Sequence, residues 1–206
     1  MIPFEANFVK VKQLNKMRVL VVDFYDSFVF NLVHYFETLG CEVLVLTDYD
    51  FNLSALDNLG GFNGVVLSPG PGLPHETHSM QTIINYCRGK IPVFGVCLGM
   101  QGLGLDLGGT LFNLHSIRHG MTTNVHIQSH ERLFNGFPKQ IEVGLYHSWA
   151  LKEIPVSCVI AFDEEGVVMA IENTETKQYG VQFHPESIMT SFGMEIVKNV
   201  ISEIFN

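Results

Sequence analysis

The sequence predicts an α/β fold: a mostly parallel open sheet with helices on both faces and an antiparallel extension. Three observations carry this. In the first half, Val- and Leu-rich runs of strand length alternate with segments of helical periodicity, the pattern that crossover connections of a parallel sheet require. In the second half, short apolar runs follow one another with only turns between them, which suits antiparallel neighbours. The chain has 206 residues, of which 47% are hydrophobic and 16% charged, enough apolar material for a core covered on both sides.

The elements follow in order. Arg18 to Asp23 is a Val-rich run that reads as a buried strand, and "DFYDSF" as the polar turn after it. Phe28, Leu32, Tyr35, Phe36 and Leu39 recur at helical spacing, and Gly40 stands where a helix C-terminus favours positive φ. "CEVLVL" is a second strand and "GVVLSPG" ends a third near Leu67. A helix is predicted from about His78 to Cys87, then a strand, "IPVFGV", then a helix from about Leu98 to Leu107. Beyond these, "IEVGLYHSWAL", "VSCVIAFDEE", "GVVMAIENT" and "QYGVQFHP" read as short strands. Ser191 to Phe205 reads as a closing helix with Met194, Val197, Ile201 and Ile204 on its inner face. No linker or repeat divides residues 17–206, which read as one domain. Residues 1–16 lack clean periodicity, carry Lys10, Lys12 and Lys16, and read as a short N-terminal extension or as the product of an upstream start codon.

Composition excludes several classes of partner. The net charge of −9 argues against nucleic acid. No apolar run reaches the roughly 18 residues of a membrane span, and the N-terminus lacks a secretory pattern. The four cysteines, Cys41, Cys87, Cys97 and Cys158, form no CxxC pair, so the expectation is a reduced, cytoplasmic chain without disulfides. "HETH" at His75 to His78 is not the H-E-x-x-H zinc motif and reads as a solvated loop.

The chemistry centres on "VFGVCLGMQ". Gly95-x-Cys97-x-Gly99 has the pattern of a nucleophile elbow with a thiol in place of the hydroxyl; the alternative is a buried core cysteine. A free thiol, with a pKa of about 8.5, is only roughly 3% ionised at pH 7. A helix N-terminus after Cys97 and a histidine base are the two features that could raise that fraction. Among nine histidines, His184 in "GVQFHPES" ends an apolar strand and has Glu186 two residues on, where an extended chain points both to the same side. Cysteine, histidine and carboxylate would then form a triad; a strand-end histidine in a turn closed by Pro185 is the other reading. Backbone N–H groups of Leu98 and of Gly70 in "SPGPG" could hold an oxyanion, although Pro/Gly turns are common. In open α/β sheets the site lies at the carboxyl ends of strands, and Cys97, the Ser68–Gly72 loop and His184 all follow strand ends.

"SPGPGLP", "GVCLGMQ", "YHSW" and "GVQFHPESIMT", in that order, resemble class I (triad-type) glutamine amidotransferases. "DFYDSFVFNLVHYFETLG" and "HPESIMTSFG" resemble the glutaminase subunit (component II) of anthranilate synthase and aminodeoxychorismate synthase. The resemblance covers about Arg18 to the C-terminus. It implies hydrolysis of L-glutamine through Cys97, His184 and Glu186, an oxyanion held by Gly70 and Leu98, and substrate held by Gly70, Gly72, Gln101, Ser148 and Trp149. It further implies ammonia delivery to a separate chorismate-using synthase subunit (component I) that docks near "SPGPGLPHET" and "YHSW". No cofactor is expected on this chain, and Mg²⁺ belongs to the partner. Three positions depart from the branch: Met100 where His is usual, Trp149 where Leu is usual, and Met121 where Lys is usual. A non-catalytic partner-binding subunit of the same fold, a γ-glutamyl thiol hydrolase and the histidine-pathway amidotransferase are the alternatives.

Overall fold

The computed structural model describes residues 16–54 and 61–206, so most of the expected N-terminal extension lies outside the described residues. The first half builds most of the parallel part of the sheet. Strand β1 (Arg18–Asp23) pairs in parallel with β2 (Glu42–Thr47) on one side and β3 (Gly64–Leu67) on the other. β3 pairs with β4 (Val93–Val96). Helix α1 (Val29–Thr38) joins β1 to β2, and α2 (Met80–Cys87) lies between β3 and β4. Gly40 closes α1 with a φ of 90°.

The alternation along β1 shows why both faces are covered. Val19 and Val21 pack with Leu32, Val33 and Phe36 of α1. Leu20 and Val22, pointing the other way, pack with Met80, Ile83 and Ile84 of α2. A strand buried on both sides has no polar face, so it reads as a continuous apolar run rather than an alternating one.

After α3 (Leu98–Asp106) come β5 (Thr110–Ile127), β6 (Gln140–Lys152), β7 (Val159–Asp163), β8 (Val168–Asn173) and β9 (Gln178–Val181). The sheet order is β2-β1-β3-β4-β9-β8-β7-β5-β6. β9 is the seam: it runs parallel to β4 and antiparallel to β8. The antiparallel extension therefore grows from the last strand inward, and it contributes as many strand pairs as the parallel part.

Three elements differ from the sequence expectation. β5, 18 residues long, was not predicted at all. Only three of its residues are buried and its pairing with β6 breaks between Asn113 and Arg118, so it carries no apolar run to announce it. Cys158 closes a 3-10 turn, Val156–Cys158, instead of lying in a strand. The closing helix is α4 (Gly193–Asn199) followed by a π-helical turn, Val200–Ile204. Of the expected inner face, Val197 and Ile204 are buried and Met194 and Ile201 only half-buried, with Ile196 and Val200 buried beside them.

A buried ion pair ties the extension together. Arg118 of β5 bonds Asp163 of β7, and both are almost fully buried. Asp163 also accepts the backbone N–H groups of Glu165 and Val167, so its carboxylate is well partnered.

Candidate active site

β3, β4 and β9 are adjacent and parallel, so the segments after them emerge at one edge. Cys97 sits between β4 and α3 with φ 51° and ψ −103°. For a residue with a Cβ this is a strained conformation, costing on the order of 1–3 kcal/mol. Neighbouring close contacts enforce it. A Cβ on Gly95 would stand 2.5 Å from the backbone of Gly99, and one on Gly99 would stand 2.3 Å from Leu67 O of β3. Both glycines are needed for the strand, the turn and the helix to approach this closely. The bend leaves Cys97 as the residue preceding the first turn of α3, where backbone N–H groups point outward.

The loop after β3 is pinned from below. Ser68 Oγ accepts the N–H of Phe24 at 2.9 Å and donates to Pro69 O at 2.6 Å. Gly70 lies against Phe24 O, 2.5 Å from where a Cβ would stand, and Gly72 has a φ of 79°. The loop thus follows the end of β1 and cannot drift from it.

His184 lies three residues past β9 and is buried. Its N–H donates to Gly144 O at 3.2 Å. Its carbonyl accepts Thr190 Oγ1 at 2.6 Å, and Thr190 Oγ1 in turn accepts Gly144 N–H at 3.0 Å. These contacts fix the backbone on β6. On the ring, Nδ1 bonds Glu186 Oε1 at 2.6 Å. The ring meets Tyr146 edge-on at 5.0 Å between centroids. Nε2 is buried and makes no hydrogen bond of ordinary geometry. Burial disfavours the imidazolium, but the nearby Cys97 sulfur and then Glu186, which is bonded to Nδ1, outweigh it and hold the His184 pKa well above 6.5. Imidazole and carboxylate are joined directly, and Cys97, His184 and Glu186 are all buried.

A cavity of about 170 Å³ opens beside Cys97, lined by Gly70, Pro71, Gly72, Leu98, Gln101, Tyr146, His147, Ser148 and Trp149. Every residue expected to hold substrate or oxyanion lies on its wall. The volume suits a molecule smaller than a typical drug-sized ligand. A larger cavity of about 460 Å³, between the irregular part of β5 and β7, contains none of the reactive groups. Chemistry rather than size marks the site.

The departures sort by position. Met100 is fully buried and packs on Gly180 of β9, so it is a core residue and does not line the cavity. Met121 is exposed on β5, opposite Leu145. Trp149 lines the cavity, and its carbonyl accepts both Gln101 Nε2 and His147 Nδ1 at 2.9 Å.

Sequence reasoning missed three residues. Tyr146 packs its ring against His184. His147 is buried with Nε2 unpartnered, and its pKa is lowered to about 4, chiefly by burial and against the pull of its bond to Trp149. Gln182, wholly buried, donates to Cys97 Sγ at 3.5 Å. The only signal was their place inside the motifs "YHSW" and "GVQFHPES", since no composition or periodicity singles them out. The remaining cysteines, Cys41, Cys87 and Cys158, are buried and unbridged. Burial pushes the Cys87 thiol up to about 12, which leaves it inert as a nucleophile.

A strand-turn-helix elbow carrying a cysteine, with histidine and carboxylate from a neighbouring strand end, defines a class of thiol-dependent amide hydrolases. The chain belongs to the class-I glutamine amidotransferase family, whose model matches residues 20–204. Within it, the chain is 42% identical over 188 residues to the anthranilate synthase component 2 of Mycobacterium tuberculosis, covering 89% of this chain and 81% of that protein. It is 38% identical over 186 residues to the aminodeoxychorismate/anthranilate synthase component 2 of Bacillus subtilis, covering 89% and 95% respectively. The fold resembles that of a glutamine amidotransferase of known crystal structure from Thermotoga maritima, with a TM-score of 0.68, 20% identity, and 90% and 80% of the two chains covered. A Thermoplasma acidophilum protein described as a candidate GMP synthase component is similar in fold at a TM-score of 0.79, with 24% identity and 90% and 92% of the two chains covered. Among the described residues, no helix is long and apolar enough to cross a membrane.

Proposed function

We propose that this chain is the glutaminase subunit of a chorismate-using synthase, making ammonia for anthranilate or 4-amino-4-deoxychorismate. The observation that carries the reading is the 170 Å³ cavity, which holds Cys97 at one end and the Gly70–Gly72 loop and Ser148–Trp149 on its walls. Cys97 Sγ attacks the side-chain amide carbon of glutamine. The charge gathered on the carbonyl oxygen is held by the N–H groups of Gly70 and Leu98. His184 passes the thiol's proton to the departing amine, the C–N bond breaks, and ammonia leaves a glutamyl thioester on Cys97. Water then attacks the thioester, with His184 taking its proton; the C–S bond breaks, the proton passes to the released Cys97 sulfur, and glutamate departs. Glu186 keeps Nδ1–H donating so that Nε2 serves the reaction. Gln101, Gly72, Ser148 and Trp149 position the amino-acid end of glutamine. No metal or cofactor takes part on this chain, and Mg²⁺ is a requirement of the partner.

The partner docks at the same edge. Tyr25, Tyr49 and Ile188 are exposed there, and the Tyr49 ring stacks on His78 beside the "SPGPGLPHET" loop. Exposed aromatic and aliphatic side chains grouped beside a reactive site are the composition of an interface core. The pattern of free cysteines suits work in a reducing compartment such as the cytoplasm.

The test is to purify the chain with each candidate component I, then supply glutamine and chorismate. Formation of anthranilate or aminodeoxychorismate, lost in Cys97→Ser but retained when free ammonia replaces glutamine, is the expected result. Glutamine-dependent product formation by Cys97→Ser at the unsubstituted rate would overturn the reading.

A further inference from the structure

A chain of amides links the substrate-binding strand to the sulfur, and its polarity can be assigned from one group. Trp149 C=O can only accept. It therefore takes an N–H from Gln101, which fixes the orientation of that side chain at 2.9 Å. The Gln101 amide nitrogen also lies 3.3 Å from Gln182 Oε1, which accepts its second N–H. With its oxygen so engaged, Gln182 turns its NH₂ group toward Cys97 Sγ, 3.5 Å away. Gln182 has no exposed surface. A buried amide costs free energy unless its polar ends are partnered, and here the sulfur partners the nitrogen. A neutral thiol is a weak acceptor, whereas a thiolate is a strong one. The contact is therefore worth more in the ionised state than in the protonated state.

We infer that Gln182 is a further catalytic residue, which holds the Cys97 thiolate by a side-chain N–H bond before attack. This rests on the reading of Cys97 as the nucleophile. As the new C–S bond forms, charge leaves the sulfur for the carbonyl oxygen, and the Gly70 and Leu98 N–H groups take over from Gln182. Gln101 is the shared member: it bonds the Trp149 carbonyl on the cavity wall and Gln182 behind the sulfur. Occupation of the cavity is thereby coupled to the orientation of the donor.

The test uses Gln182→Met, which keeps the length and removes the donor, and Gln182→Glu, which keeps the shape and faces the sulfur with a carboxylate. Iodoacetamide labelling of Cys97 is followed by mass spectrometry across pH, beside steady-state glutamate release by the complex with the synthase partner. Loss of a hydrogen bond to a charged acceptor predicts about tenfold slower labelling and about tenfold lower kcat/KM at neutral pH for Gln182→Met, with KM little changed. The deficit should narrow as pH rises, because ionisation of the thiol then limits labelling less. Gln182→Glu should be slower than Gln182→Met at neutral pH. A deficit that is the same at every pH would assign Gln182 a packing role and overturn the inference. So would unchanged labelling in either variant that retains its thermal transition. Should Cys97→Ser release glutamate normally, the assignment of the nucleophile has failed instead, so the two failures are distinct.

Discussion

Replacing Gly193 by alanine tests whether the His184–Glu186 segment is held in place by backbone packing. Gly193 opens α4, and a Cβ there would stand 1.8 Å from Pro185 O and 2.9 Å from Pro185 C. Both neighbours are backbone, so no side chain can swing aside. Reaching ordinary van der Waals separation requires a displacement on the order of 1 Å. Pro185 lies between His184 and Glu186, so the segment that moves carries both groups. Misplacement of catalytic groups by about 1 Å costs about 100-fold, or about 2.7 kcal/mol of barrier. Overpacking adds about 1–3 kcal/mol of lost stability. For a chain of this length each kcal/mol lowers the Tm by about 2–4 °C. The assay is glutamate release in the presence of the synthase partner, beside a calorimetric melt. We expect kcat/KM to fall about 100-fold and the Tm by about 5 °C. Normal kcat/KM with a lowered Tm would mean that α4, not the catalytic segment, yields. Normal values of both would refute the packing argument.

Three further outcomes follow from buried charged and titratable groups. In Cys97→Ala, the His184 pKa should fall toward 6.5, read by NMR of the ring protons, because the sulfur is a main cause holding it up. Since that pKa is raised in the fold, the group's contribution to stability is full below about 6.5 and is lost as pH rises through the folded value. An unchanged titration would mean that Cys97 does not act on the ring. His147 has the opposite sign: with a folded pKa of about 4, it binds a proton more readily when unfolded. Acidification from about pH 6.5 to about pH 4 should therefore remove about 3 kcal/mol, and the Tm of His147→Asn should fall less over that range than that of the parent. Parallel falls would refute this. Arg118→Met leaves Asp163 buried without its cation and should cost about 3 kcal/mol in urea unfolding, with part recovered in the Arg118→Met/Asp163→Leu double variant. A single variant as stable as the parent would show the pair to be dispensable.

The parallel half of the fold was legible because each element obeys one period. Val19 to Val22 are apolar on both faces, and Leu32 and Phe36 repeat at four residues, so local pattern and global position agree. β5 was illegible for the opposite reason. Its residues are held by a long ladder to β6 and a shorter one to β7, contacts far away in sequence, while its own pattern is polar and broken. The terminal helix was seen, and Val197 and Ile204 of its expected inner face are buried, whereas Met194 and Ile201 are half-buried because neighbouring apolar residues, Ile196 and Val200, offer the core an equally regular stripe.

At the site, Gly95, Cys97, Gly99, His184 and Glu186 stood out because strained turns and proton transfer admit few residue types. The sequence by itself determined the reactive groups, the strand ends that carry them and the alternation that stacks helices on both faces, since these depend on residues near one another in the chain. Only the tertiary structure decided that Gln182 reaches the sulfur, that His147 is buried beside the cavity, and that Met100 belongs to the core. Those facts depend on β9 lying between β4 and β8, and on where β6 passes over them. Such placement is settled by the packing of the whole sheet, a sum over distant contacts that no local stretch of residues records.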